Sequence, residues 1–341
     1  MFSLQTQKTG ATPTGGTQTV ITELSEITTK VTLTTQRFDS PAKLTFSTIE
    51  ESGILLPEGS SVTLQVDGWR AFKGYVFTAE RDENGEVSYT AYDQLRYLKF
   101  KTSKTWEAAE LSQIITDLAA DFGLTVGTLA PTGYAFPSLI KENENALDII
   151  FDALEKTIVE TGKIYNFYDD AGALTLTEAK DMYFPTLIGD ESLLTGYKYK
   201  RDIDKQTYNR VKLVRPNKES GLTDVYEYED TETIAKWGLL QYYEKIDDTM
   251  NPAQIEERAQ QLLLYYNRVL QSFSQDALGV PGLRAGAIIP VRVDAVSSLS
   301  NTRMLICEKV THTFEADDHT MKIEVRDFSN MGENALFSTP G

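Results

Sequence analysis

Gly74-Tyr75-Val76-Phe77-Thr78-Ala79-Glu80-Arg81 and Glu86-Val87-Ser88-Tyr89-Thr90-Ala91-Tyr92 alternate their large side chains on either side of Asp82-Glu83-Asn84-Gly85. A period of two puts every second side chain on one face of a strand. Asn-Gly supplies the positive φ angles that a tight hairpin turn requires. The stretch therefore predicts a β-hairpin with one buried face. Working upstream, the same alternation runs through Ile27–Thr34, Lys43–Ser47 and Val62–Val66. Five or more short strands within about a hundred residues predict a small barrel or sandwich. Residues 1–20 are rich in Thr, Gly and Gln with few large apolar side chains, and are expected to form an extended arm or irregular edge strand.

Downstream the period changes. Leu111, Ile114, Ile115, Leu118 and Phe122 have helical spacing, and the reading places a helix from a cap at Thr105 to a stop at Gly123. A second helix is expected from a cap at Asn145, through Leu147, Ile150, Phe151, Leu154 and Ile158, to Gly162. Lys163–Tyr168 and Ala173–Thr177 then read as a hairpin, so residues 105–185 form a small α+β domain. Beyond it, Tyr208–Val214 and Val225–Tyr228 are expected to be sheet neighbours, with a short helix over Thr231–Trp237. Asn251-Pro252-Ala253-Gln254 combines a capping Asn, a first-turn Pro and a Gln three residues on, a strong helix start. Strands return over Ala287–Val293, Met304–Val310 and a last hairpin ending at Val325. The fold class is β-rich α+β: β domains at 1–104 and 186–341 flank the α+β domain.

Composition narrows the function. A net charge of −17 with no Lys/Arg cluster argues against stable nucleic-acid binding. The single cysteine, Cys307, cannot form an internal disulfide, and its apolar strand setting reads as a buried, inert thiol. No basic region followed by an apolar run opens the sequence, and no stretch is long and apolar enough to cross a bilayer, so no membrane insertion is expected.

Catalytic motifs are lacking. There is no phosphate-binding glycine loop, no Gly-x-Ser-x-Gly elbow and no His-Glu-x-x-His. The two histidines, His312 and His319, flank the last turn and could lie close, but read as exposed strand residues without a third metal ligand. Acidic pairs at Glu50-Glu51, Asp169-Asp170, Asp247-Asp248 and Asp317-Asp318 sit in turn-like settings where neither pKa is expected to move far. Tyr165-Asn166-Phe167-Tyr168, Tyr226–Tyr228 and Tyr242-Tyr243 read as core or interface aromatics. No catalytic residue, cofactor or metal is assigned. Two functions stay open on these residues: a peptidoglycan-degrading enzyme resting on paired carboxylates, and a wall-glycan-binding module resting on the Tyr-rich strands.

Gly74-Tyr75-Val76-Phe77, Tyr89-Thr90-Ala91-Tyr92-Asp93-Gln94-Leu95-Arg96-Tyr97-Leu98, Asn209-Arg210-Val211 and Gly279-Val280-Pro281-Gly282-Leu283-Arg284-Ala285-Gly286 occur in an informative order. That order resembles the tail hub proteins of contractile phages, defective prophages and R-type bacteriocins. The resemblance implies a homotrimeric ring that joins the tail tube to the central spike and contacts other baseplate proteins, assembled in the bacterial cytoplasm. It implies two β-barrel-like tube domains per chain, with the α+β domain at the periphery. Acidic side chains would then either line a lumen that repels DNA or lie on the outer surface, and the sequence leaves both open. Interface residues expected on this reading are Asn84 and Gly85, the loop Val280, Pro281, Gly282 and Leu283, and the arm before Val20.

Overall fold

The computed structural model describes residues 2–11, 17–49, 54–216, 221–246 and 250–327. Two compact units are present: Met1–Lys198 with Ser274–Arg326, and Tyr199–Phe273.

The first unit begins with β1 (Phe2–Ala11), β2 (Thr17–Glu23), β3 (Thr28–Gln36), β4 (Lys43–Ile49), β5 (Ser61–Val66), β6 (Trp69–Arg81) and β7 (Glu86–Tyr92). The alternation legible in the sequence is realised as burial. Leu33, Leu44, Phe46, Val62, Leu64, Val76 and Tyr89 lie on one side of the sheet and share a core with Phe314. Each such burial contributes roughly 1.5–3 kcal/mol, enough to fix strand register. The N-terminal segment is more regular than expected. β1 lies inside the sheet, pairing β2 on one side and β5 on the other, with Leu4 fully buried; β2 forms the edge.

A smaller layer follows: β8 (Lys101–Glu110), α1 (Leu111–Asp121), β9 (Val126–Leu129), β10 (Ala135–Asn145), α2 (Ala146–Thr161), β11 (Tyr165–Asp169) and β12 (Leu174–Glu178). α2 runs between the two ends read from the sequence, Asn145 and Gly162. α1 does not. The residues from Thr105 to Glu110 belong to β8, which pairs along its length with β10, and the helix starts only at Leu111. The helically spaced residues do form α1, and a long-range partner strand claims only the stretch between the expected cap at Thr105 and Leu111.

The chain continues through β13 (Ile188–Gly189) and β14 (Leu194–Asp202), which leads out of the first unit. In the second unit, β15 (Arg210–Pro216) pairs antiparallel with β16 (Thr223–Glu229) and parallel with β17 (Gln241–Lys245). α3 (Thr231–Trp237) lies between β16 and β17 in sequence. α4 (Pro252–Tyr266) carries the expected reciprocal cap: Asn251 Oδ1 accepts from Gln254 N at 3.0 Å, and Gln254 Oε1 accepts from Asn251 N at 2.9 Å. Val211, Leu213, Ile246, Ile255 and Ala259 form the core of this unit.

β18 (Leu270–Leu278) leads back to β19 (Ile288–Arg292), β20 (Arg303–Glu315) and β21 (Asp318–Arg326). β20 pairs β21 on one side and β3 on the other, from Lys309 opposite Gln36 to Glu315 opposite Lys30. The large sheet therefore runs β14-β18-β21-β20-β3-β4-β7-β6-β5-β1-β2, with β19 also on β20 and β13 on β19. The protein is β-rich with several sheets, but among the described strands neither β region closes into a barrel within the chain. Their strands are joined edge to edge through β3 and β20 instead.

Candidate interaction surface and the buried network beside it

The loop from Gly279 to Ala287 is held on all sides by hydrogen bonds. His312 Nε2 lies 2.7 Å from Leu283 O, a group that can only accept, so the proton sits on Nε2. His312 Nδ1 is then the acceptor for His319 Nε2–H, at 2.9 Å. The expectation of two exposed histidines is corrected here. They do lie together, but His312 is fully buried, flanked by the rings of Trp69 and Phe314. Burial holds its pKa down to about 4 and also lowers that of His319. Gly279 N donates to His319 O at 2.7 Å, so close that a Cβ at Gly279 would stand 2.0 Å from the His319 ring.

On the other flank, Ala285 N donates to Thr35 Oγ1, Gly286 N to Cys307 O, and Asn166 Nδ2 to Gly286 O. Asn166 Oδ1 in turn accepts from the Nε of buried Arg37 at 2.7 Å, and Arg37 Nη1 pairs with Glu308 at 3.2 Å. Cys307 has no exposure, and burial pushes its thiol up so that it stays protonated. This agrees with the inert reading.

Arg284 projects from the same loop into a carboxyl pair. It donates to Asp169 O at 3.0 Å, stands 3.7 Å from Asp170 and lies over the Tyr168 ring at 3.8 Å. Asp93 is buried and accepts from Ala42 N and Leu95 N; Asp169 is buried and accepts from Gln94 Nε2 at 2.8 Å. Burial raises both carboxyl pKa values, and the Asp169 charge adds to the rise at Asp93. The solvated reading of Asp169-Asp170 thus holds for Asp170 alone, which is exposed. Asp317 and Asp318 are exposed as expected, whereas Glu50-Glu51 and Asp247-Asp248 lie outside the described residues. The hydrogen bonds of this network all run to protein groups, with the buried Arg284 Nε alone left without a partner among the described residues of the network, and its chemistry is that of a clamp between strands. No cluster of three or more metal-ligating side chains occurs among the described residues.

The outward face is different. Lys43, Arg96, Lys99 and Lys309 line an open cleft of about 610 Å³ with Gln36 and Tyr92. Among the described residues none of Lys43, Arg96 and Lys99 makes an ion pair, and Lys309 reaches only Glu324, at 3.9 Å. Tyr75, Phe77, Tyr92 and Tyr97 form an edge-on aromatic group beside the cleft, with the Arg96 guanidinium 5.2 Å from the Phe77 ring.

The β6–β7 hairpin leaves the same sheet. Asn84 is exposed and Gly85 half-buried. The turn is built differently from the expectation: Gly85 alone takes positive φ, at 79°, while Asp82 accepts from Asn84 N and Glu86 N. Of the other expected interface residues, Val280, Pro281 and Gly282 are half-buried and Leu283 is fully buried within the chain. Of the arm before Val20, residues 12–16 lie outside the described residues.

A family model described as YQBQ-like matches residues 31–326. The chain belongs to the YQBQ-like family. It is 32% identical over 309 residues to the uncharacterized protein YqbQ of Bacillus subtilis, covering 89% of this chain and 93% of that one. It is 29% identical over 310 residues to protein XkdQ of the phage-like element PBSX in the same organism, with the same coverage. Its fold is shared with the 43 kDa tail protein of prophage MuSo2 from Shewanella oneidensis, at a TM-score of 0.68 and 13% identity, over 96% of this chain and all of the other. It also matches the E. coli c3393 protein at a TM-score of 0.53 and 10% identity, over 89% of this chain and 74% of the other. That protein is described as a component of the type VI secretion system with structural similarity to the T4 tail proteins gp27 and gp5. The resemblance to tail hub proteins drawn from the ordered motifs is borne out.

For this YQBQ-like chain the motif Gly279–Gly286 also acquires a physical reason: its glycines admit the His319 ring and Asn166, and its arginine donates to the Asp169 backbone carbonyl in the field of the buried Asp93 and Asp169 carboxyls. The partners Asp93, Gln94, Asp169 and Asn166 were not read from the sequence. They are distant in the chain, and their roles exist only once β3, β11 and β20 come together.

Proposed function

We propose that this protein is a non-enzymatic structural hub at the tip of a contractile tail, forming a trimeric ring between the tail tube and the central spike. The observation that carries the reading is the fold shared with a prophage tail protein along nearly the whole chain. The 29% identical relative in a phage-like element supports it.

On this reading residues 1–104 and 186–341 supply the tube-forming parts, and neighbouring copies complete the barrel-like walls that one chain leaves open. Residues 105–185 sit at the periphery against other baseplate proteins. The tube protein docks above and the spike below. Assembly takes place in the bacterial cytoplasm, and the mature ring resides in a virion or bacteriocin particle. With a charge of −17, a lumen lined by carboxylates lets DNA pass without stable binding. No cofactor or metal takes part.

Electron microscopy of the purified chain tests the ring. Class averages should show a threefold annulus with a central pore. Particles that remain single copies at tens of micromolar would refute it.

A further inference from the structure

The tip of the β6–β7 hairpin and the basic cleft are complementary in charge and lie at opposite ends of one strand. From Thr78 to Arg81, β6 is exposed on both faces. Its pairing with β5 ends at Tyr75, so beyond Val76 only β7 flanks it among the described strands. The tip carries Glu80, Asp82, Glu83 and Glu86 against one cation, Arg81. Asp82 is engaged in the turn, but Glu80, Glu83 and Glu86 make no ion pair among the described residues.

β7 begins with Glu86 at that tip and ends with Tyr92 in the cleft wall. Six residue steps at a rise of about 3.3 Å separate them by roughly 20 Å. Within the cleft, Lys43, Arg96 and Lys99 stand without ion-pair partners among the described residues, on a chain with 17 more acids than bases. Lys99 lies in the field of Asp39 without bonding to it.

We propose that the acidic hairpin of one copy seats in the basic cleft of the next copy of this chain. A site and its ligand at opposite ends of one rigid strand make a head-to-tail contact, which closes into a ring when the rotation between copies allows. Charge pairing across the joint sets which copies meet and in what register. It also relieves the mutual repulsion of strongly acidic subunits at their point of contact. The aromatic group beside the cleft supplies the apolar part of the seat. The inference rests on the ring-forming reading above and specifies the surfaces it uses.

The experiment is a charge swap on the full chain, with association followed by sedimentation velocity and each variant imaged for the annulus. One variant reverses the cleft (Lys43→Glu with Lys99→Glu), a second reverses the hairpin (Glu80→Lys with Glu83→Lys), and a third combines them. All four positions are exposed, and circular dichroism confirms that each variant folds. Each single reversal should raise the concentration at half-association at least tenfold, and the combination should return it to within about threefold of the wild type. Reversals that leave association unchanged, or a combination that fails to restore it, overturn the proposal. If the annulus persists in both reversals, the hub reading stands and the hairpin contact falls. If the unaltered chain never self-associates, both fall.

Discussion

Acidification should destabilise the first unit through His312, and the size of the effect follows from its surroundings. The ring is fully buried, held neutral between Leu283 O and His319, with a pKa near 4 against an ordinary 6.5. Between those values the unfolded chain binds a proton that the folded chain excludes. Stability therefore rises with pH across this window and is lost as pH falls through it. At about 1.4 kcal/mol per unit the full loss is roughly 3 kcal/mol, and about 2 kcal/mol of it falls between pH 7 and pH 5. Asp93 and Asp169 work in the opposite sense, since their raised pKa values favour the folded state as pH falls. The test is therefore a difference between two proteins that share those carboxyls. Urea unfolding of the wild type and of His312→Gln is followed by tryptophan fluorescence, with Trp69 5.3 Å from the His312 ring as a local reporter. The wild type should be the more stable at pH 7, and its advantage should shrink by about 2 kcal/mol at pH 5. An advantage constant to within about 0.5 kcal/mol would refute the account of a neutral, buried imidazole.

Gly279→Ala should cost about 1–3 kcal/mol in denaturant unfolding, because its Cβ would stand 2.0 Å from the His319 ring; a neutral result would mean that the loop shifts freely. Arg284→Met should cost about 3 kcal/mol by removing the cation from the Asp93–Asp169 pair, and Asp169→Asn in the same background should recover part of it. The Cys307 thiol should resist an aromatic disulfide reagent in the native protein at pH 8 and react within seconds after unfolding in guanidinium; fast native labelling would contradict its burial.

Local patterns were legible where neighbours in sequence are also neighbours in space. The β6–β7 hairpin, the ends of α2 and the Asn251 cap each follow from a few adjacent residues, and each is found where it was read. The start of α1 is not legible at Thr105 because the strand partner of the segment before Leu111, β10, lies some thirty residues on. The burial of the histidines is hidden from the sequence for a related reason. A polar residue on a terminal hairpin is exposed unless another segment covers it, and here the loop at Leu283 and the strand at Trp69 both do. The Gly279–Gly286 motif was visible as a resemblance, but its role as a clamp depends on residues from β3, β11, β20 and β21. The basic cleft is not legible in the sequence because its four cations are spread from Lys43 to Lys309 and form no cluster along the chain.

The pairing of β3 with β20 also governs when the protein can fold. Thr35 Oγ1 donates to Val310 O across 275 positions of sequence, so the sheet cannot be completed until the chain has been made as far as β20. At translation rates of about 5–20 residues per second, β3 waits roughly 15–55 s for that partner. Throughout that interval its ladder groups on one side are unpaired on the nascent chain, where they can capture the same strand from a neighbouring ribosome. The fold thus defers this long-range pairing until β20 has been synthesised, and expression at lower temperature or with a strand-shielding chaperone should raise the soluble yield.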